Sequence, residues 1–156
     1  MKNPYQRKTS AKSKKSQSTL SPKDAYIQFL NKICHQACVY SIYNNGWTIS
    51  TLVSGERAFP FWQSETLARL VLQGQWADFE IREISFKDLI ERVLPYIKQQ
   101  HISVALDISP DGKYLPSNAD SLMIDLKRYL YLLKRTDPQL FSNQVLPEPR
   151  KLRINF

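Results

Sequence analysis

The sequence predicts an α+β domain: a mixed, mostly antiparallel sheet of about five strands with helices packed mainly on one face. Three observations carry this expectation. Ser21-Pro22-Lys23-Asp24 opens a run with apolar residues at helical spacing. Strands rich in β-branched and aromatic residues flank Asn44-Asn45-Gly46, the strongest hairpin signal in the chain. Beyond the hairpin, strand-like segments alternate with capped helical ones, giving the order α-β-β-β-α-β-α-β-α.

The first helix starts at a serine N-cap, with proline at the first helical position and an acid in the first turn. Ala25, Phe29, Ile33 and Ala37 recur every four residues beside Tyr26 and Leu30, and the stripe ends near His35 or Gln36. The strands Cys38–Tyr43 and Trp47–Val53 make the hairpin, and Ser54-Gly55-Glu56 turns into a third strand, Arg57–Phe61. Pro60 has no amide hydrogen for a ladder, so it marks an edge position, a bulge or the strand's end. Ser64 caps a helix over Glu65–Leu72 that stops at Gly74.

Phe79–Ile84 alternates apolar and polar residues as a half-buried strand does. Ser85 caps the next helix, whose apolar face carries Phe86, Leu89, Ile90, Val93 and Leu94. Pro95 lies inside that pattern, so it kinks the helix or starts a second one. Ile102–Asp107 is a fifth strand, and Pro110-Asp111-Gly112 a turn. A last helix begins at Ser117 or Asn118 and carries Leu122, Leu126, Tyr129, Leu130 and Leu133. The domain therefore spans 21–136, with an irregular tail over 137–156.

The net charge of +8 on 156 residues is unevenly placed. Lys2, Arg7, Lys8, Lys12, Lys14, Lys15 and Lys23 precede the first acid, Asp24. From Asp24 to Thr136, twelve basic residues balance twelve acids. The basic character belongs to residues 1–20, a stretch of Lys, Ser, Thr and Gln too poor in apolar residues to fold, and so expected to be a disordered basic tail. Its partner would be a polyanion bound weakly and salt-dependently through Lys8, Lys12, Lys14 and Lys15. Tyr5 alone offers a ring for base stacking. No apolar run reaches the roughly 18 residues that span a bilayer, and no hydrophobic segment follows the basic start as a secretory signal requires. The expected compartment is the cytoplasm, without membrane contact.

All three tryptophans fall in one stretch, as Trp47, Trp62 and Trp76, the second closing Phe59-Pro60-Phe61-Trp62. Two readings compete. Large rings dominate the core of a small domain. Alternatively, Pro60 ends its strand at the sheet rim and leaves Trp62 partly exposed as a binding anchor. On that reading Trp47, Phe61 and Trp76 border a groove, and Arg57 and Glu65 supply a polar rim.

These landmarks resemble a known family. The helix with Phe29, the Gly46-Trp47 pair, Phe59-Pro60-Phe61-Trp62 before a short helix, Trp76, the strand to Ile84 and the helix reaching Leu94-Pro95 occur in the order of the bacterial domain-of-unknown-function family 2750. The similarity covers about Asp24 to Leu133. Gln63 separates Trp62 from Ser64, where the family pattern has serine directly after tryptophan. The resemblance implies a small bacterial domain and brings no catalytic residues with it.

The residues that could carry chemistry are sparse. Cys34, His35 and Cys38 cluster, but His35 points about 100° around a helix from Cys34, and tetrahedral zinc takes four ligands. Small buried thiols are the simpler account, so neither a metal nor a cofactor is expected. A Cys–His pair with His101 has no supporting motif. Asp78, Glu80 and Glu83 near Trp76 read as a charged outer sheet face, with Arg69 and Arg82 nearby in sequence. The four glycines form no phosphate-binding spacing. The sequence thus leans away from an enzyme, toward a module that binds a protein or small ligand, with a nucleic-acid role through the tail as the alternative.

Overall fold

In a computed structural model, residues 20–52, 54–72, 76–143 and 145–152 are described. Helix α1 (Pro22–Gln36) leads into β1 (Cys38–Tyr43), β2 (Ser50–Thr51) and β3 (Arg57–Phe61). Helix α2 (Glu65–Arg69) and β4 (Glu80–Ser85) follow. The helical rod α3 runs from Phe86 to Gln99, then β5 (Ser103–Leu106), β6 (Leu115–Ser117) and α4 (Ala119–Thr136). The class is α+β, and three of the four strand ladders are antiparallel; only β3 and β5 run parallel.

Strands β4 and β1 form one sheet; β2, β3, β5 and β6 form another. Tyr40 and Trp62 stitch the two together by exchanging backbone hydrogen bonds of 2.9 and 2.8 Å. The expected single sheet is therefore two joined ones, and it gains a sixth strand, β6. β2 is shorter than the expected Trp47–Val53 strand because only Ser50 and Thr51 pair with β3. Upstream, Trp47 bridges back to Tyr43 across the turn, where Asn45 takes φ 57° and Gly46 φ 151°.

Every expected cap forms. Ser21, Ser64 and Ser85 accept the amides of Asp24, Leu67 and Asp88, and Asn118 accepts that of Ser121. α2 is shorter than predicted, ending at Arg69, and Gly74 lies outside the described residues. Pro95 lies in the first turn of a fresh α-helical stretch, Leu94–Gln99, as the second of the two expectations has it. A π-helical turn, Leu89–Val93, precedes it, and the Leu94 amide reaches back five residues to the Leu89 carbonyl. The wider turn accommodates a ring that would clash with the carbonyl four residues back.

Strands β3 and β5 are buried on both faces, and their side chains alternate between two cores. On the first face Phe59, Phe61, Val104 and Leu106 meet α1, α3 and α4 through Phe29, Ile33, Leu94, Ile97, Leu122, Leu126 and Leu130. Each fully buried large side chain contributes about 1.5–3 kcal/mol. On the second face Ala58, Trp62 and Ala105 meet Ile42, Ala68, Val71 and Ile108. The helices thus lie mainly on one face, with α2 alone on the other. Beyond α4, two 3-10 turns, Pro138–Phe141 and Pro149–Lys151, carry the chain back over the first core, where Phe141 and Leu146 are buried. The Lys134 ammonium holds this return, 2.9 Å from Glu148 and 4.9 Å from the Phe141 ring centre.

Pro60 sits in the middle of β3, paired with Ala105 of β5. Its carbonyl faces away from β5, into the gap between the Ser50–Ala58 pair and the Tyr40–Trp62 bridge. No ladder hydrogen bond is due from nitrogen at this break. The buried Ser41 hydroxyl donates to the Pro60 carbonyl at 2.6 Å and supplies what a strand neighbour would have given. The position is an interruption within a central strand rather than an outer edge.

Candidate functional site

The three tryptophans do not meet around one sheet edge. Trp62 has no exposed surface, so it does not lean out of a rim. Pro60 leaves the strand intact, and Trp62 continues its alternation into the second core. There the indole donates to the Ile108 carbonyl at 2.8 Å, which satisfies its one polar group. Trp76 stands edge-on to Trp62, ring centres 6.4 Å apart at 81°. Trp47 is elsewhere: it packs on Tyr43 at 5.3 Å and Phe59 at 6.4 Å, and keeps 37% of its surface exposed. The Arg82 guanidinium covers the Tyr43 ring at 3.6 Å and pairs with Glu80 at 2.6 Å.

The remaining expected site residues scatter. Phe61 is wholly buried in the first core. Arg57 is exposed at the opposite end of β3 from Trp62, roughly 16 Å away by strand rise. Glu65 is exposed at the start of α2 and pairs with Arg69. They do not frame Trp62. Lys8, Lys12, Lys14 and Lys15 lie outside the described residues.

Of the expected set, Trp76 lines a cavity. The cavity measures about 310 Å³ and opens on the second face. Four segments build it: Ser50, Thr51 and Leu52; Leu70 and Val71 after α2; Trp76; and the loop from Ile108 to Gly112. The loop is a tight turn in which the Ser109 amide donates to Lys113 and the Gly112 amide to Ser109, both at 2.9 Å. Gly112 supplies the φ of 87° this requires. Ile108, held by Trp62, fixes the loop's base. The sequence marked the turn at Pro110-Asp111-Gly112 but carried no sign that it lies beside Leu70 and Trp76.

Next to this wall sits a polar clamp that the sequence did not announce. Asp107 ends β5 with φ 51°, and its amide donates to the Phe61 carbonyl at 2.8 Å. Its carboxylate accepts the Gln63 amide at 3.0 Å and the Gln63 side chain at 2.6 Å. Desolvation raises the Asp107 pKa against the pull of these two bonds. Gln36 reaches across from α1 to the carbonyls of Gln63 and Cys38 at 2.7 and 2.9 Å. Gln63 thus ties the ends of β3 and β5.

The thiols are poorly placed for chemistry. Burial pushes Cys34 up to about 12. Burial, then a hydrogen bond with Glu83, pushes Cys38 up to about 11. A thiolate is the reactive form, and both groups are held far from it at neutral pH. His35 is exposed and bonds the Asn31 carbonyl at 2.8 Å. Among the described residues no three His, Cys, Asp or Glu side chains gather as a metal site would need. Nor is any described helix long and apolar enough to cross a membrane.

A family profile, "Protein of unknown function (DUF2750)", matches residues 26–126. The chain belongs to the DUF2750 family. The matched span takes in the second core, most of the first, the Trp62–Trp76 pair and the described cavity wall, and stops within α4. No curated protein matches the sequence.

Proposed function

We propose that this DUF2750 domain is a non-enzymatic binding module and that its site is the cavity of the second face. The observation that supports the reading is the cavity itself, about 310 Å³ and walled by Trp76. That size is at the low end of the roughly 300–1,000 Å³ usual for small-molecule sites, which are mostly apolar with a few polar groups. Leu70 stands half-exposed at its wall, an apolar surface that an occupant would cover. The expected anchoring role passes from Trp62, which is buried, to Trp76.

The test is a thermal-shift screen of fragments carrying positive, negative and no charge. A binding fragment raises Tm with concentration, by about 2.7 kcal/mol of stability at a hundredfold excess over Kd. The same fragment should lose its effect when Trp76 is replaced by alanine. If no fragment shifts Tm at millimolar concentration, the reading fails.

A second reading rests on charge alone: the seven basic residues before Asp24 would draw a polyanion to the N-terminal segment. Deleting residues 1–20 should then abolish binding to RNA together with its salt dependence. Unchanged binding would remove the segment from consideration.

A further inference from the structure

Resting on the cavity reading above, we infer that the site takes an uncharged, largely apolar ring compound bearing one hydrogen-bonding group. None of the ten described lining residues is ionisable. A charged ligand would leave water for a wall with no counter-charge among its described lining residues, which disfavours it. Leu52, Leu70, Val71, Trp76, Ile108 and Pro110 supply the apolar part of the wall, which outweighs its polar part.

The polar groups of the wall are mostly spoken for. Ser50 donates to the Ala58 carbonyl at 3.3 Å. The Ser109 hydroxyl donates its one proton to Asp111, with the Lys113 carbonyl 3.2 Å away. The Ile108 carbonyl accepts from Trp62. Asp111 and Lys113, in and beside the lining loop but not themselves part of the lining, are 3.7 Å apart and compensate one another. Thr51 differs: it is exposed, lines the cavity, and its hydroxyl has no protein partner among the described residues. It is the side-chain group left to meet a single donor or acceptor on a ligand. The cavity's modest volume limits the occupant to a compact molecule.

Three molecules with one ring and different charge test this: benzyl alcohol, benzoate and benzylammonium, titrated into the full chain with amide and indole resonances followed by NMR. Benzyl alcohol should shift the Trp76 indole and the amides of Thr51, Val71 and Ser109. Both ions should bind at least about tenfold more weakly, a difference of about 1.4 kcal/mol. Thr51→Val should weaken the alcohol about three- to tenfold and leave toluene unchanged. Leu70→Glu, at a half-exposed position safe for folding, should reverse the order in favour of benzylammonium.

Each contrary result has its own meaning. An ion that binds as tightly as the alcohol overturns the neutral class while the binding module stands. If none of the three shifts the Trp76 indole, and the fragment screen is silent too, the binding reading falls with it. An unchanged order in Leu70→Glu overturns the placement of the bound ring in this cavity.

Discussion

Phe59 and Phe61 point to one side of β3 and meet three helices; Trp62, one residue on, points to the other and meets a five-residue helix, Trp76 and the floor of a cavity. The same two strands serve both sides. The first core is a thick layer dominated by Phe, Leu and Ile, with the Tyr26 hydroxyl at its margin donating to Asp125. The second is thin, holds an indole whose N–H must be met, and leaves Leu70 half-exposed. The difference separates two demands on one sheet. One face supplies most of the burial that holds the fold, which frees the other to keep a concave and incompletely filled surface.

The largest effect should come from breaking the first face. Phe61→Ala removes a ring with no exposed surface and should cost about 3–5 kcal/mol. Against a total stability of about 5–15 kcal/mol, that is a large share of the fold. Urea denaturation would measure it. A cost under about 1 kcal/mol would mean that the first core is not the main support.

Next come two substitutions that each remove one buried hydrogen bond. Trp62→Phe leaves the Ile108 carbonyl without its donor, and Ser41→Ala does the same to Pro60. Each should cost about 1–3 kcal/mol. Only Ile108 belongs to the cavity wall, so Trp62→Phe should weaken benzyl alcohol binding while Ser41→Ala should not. Equal losses of binding would erase the division between the two faces.

Leu70→Glu sharpens the contrast from the other direction. Leu70 is 50% exposed, so stability should stay within about 0.5 kcal/mol of the parent. Its effect should appear in ligand charge preference alone. A Tm drop of many degrees would show that Leu70 supports the second core more than its exposure implies.

Much of this division was written in the sequence. The caps at Ser21, Ser64, Ser85 and Asn118, with the leucine spacing of α4, set the helices because N-capping and 3.6-residue periodicity are local. The alternation that sends Phe59 and Phe61 one way and Trp62 the other is also local, a consequence of strand pleating. Trp47 and Trp76 sit outside regular strands and have no such period, which is why a single aromatic cluster looked plausible. β6 is three residues with Pro116 at its centre and carries too little pattern to register. Phe141 and Leu146 follow no periodicity, yet tertiary packing buries them. The cavity draws on segments from Ser50 to Gly112, and proximity across that distance in sequence is a property of the fold alone.

The smallest effect lies in a slope. Asp107 precedes Ile108 of the cavity wall and takes both Gln63 hydrogen bonds. Desolvation raises its pKa, and the Gln63 bonds oppose that rise without cancelling it. A carboxyl raised in the folded state adds stability that is fully present below its unfolded pKa, about 3.9, and is lost as pH climbs through the folded value. Asp107→Asn is neutral at every pH and tolerates the positive φ at least as well. Its Tm relative to the parent should therefore rise from acid toward neutral pH and then level off. A relative Tm that falls over that range would mean the two Gln63 bonds outweigh desolvation. The end of β5 would then favour charge, which would undercut the argument that the neighbouring cavity rejects charged ligands.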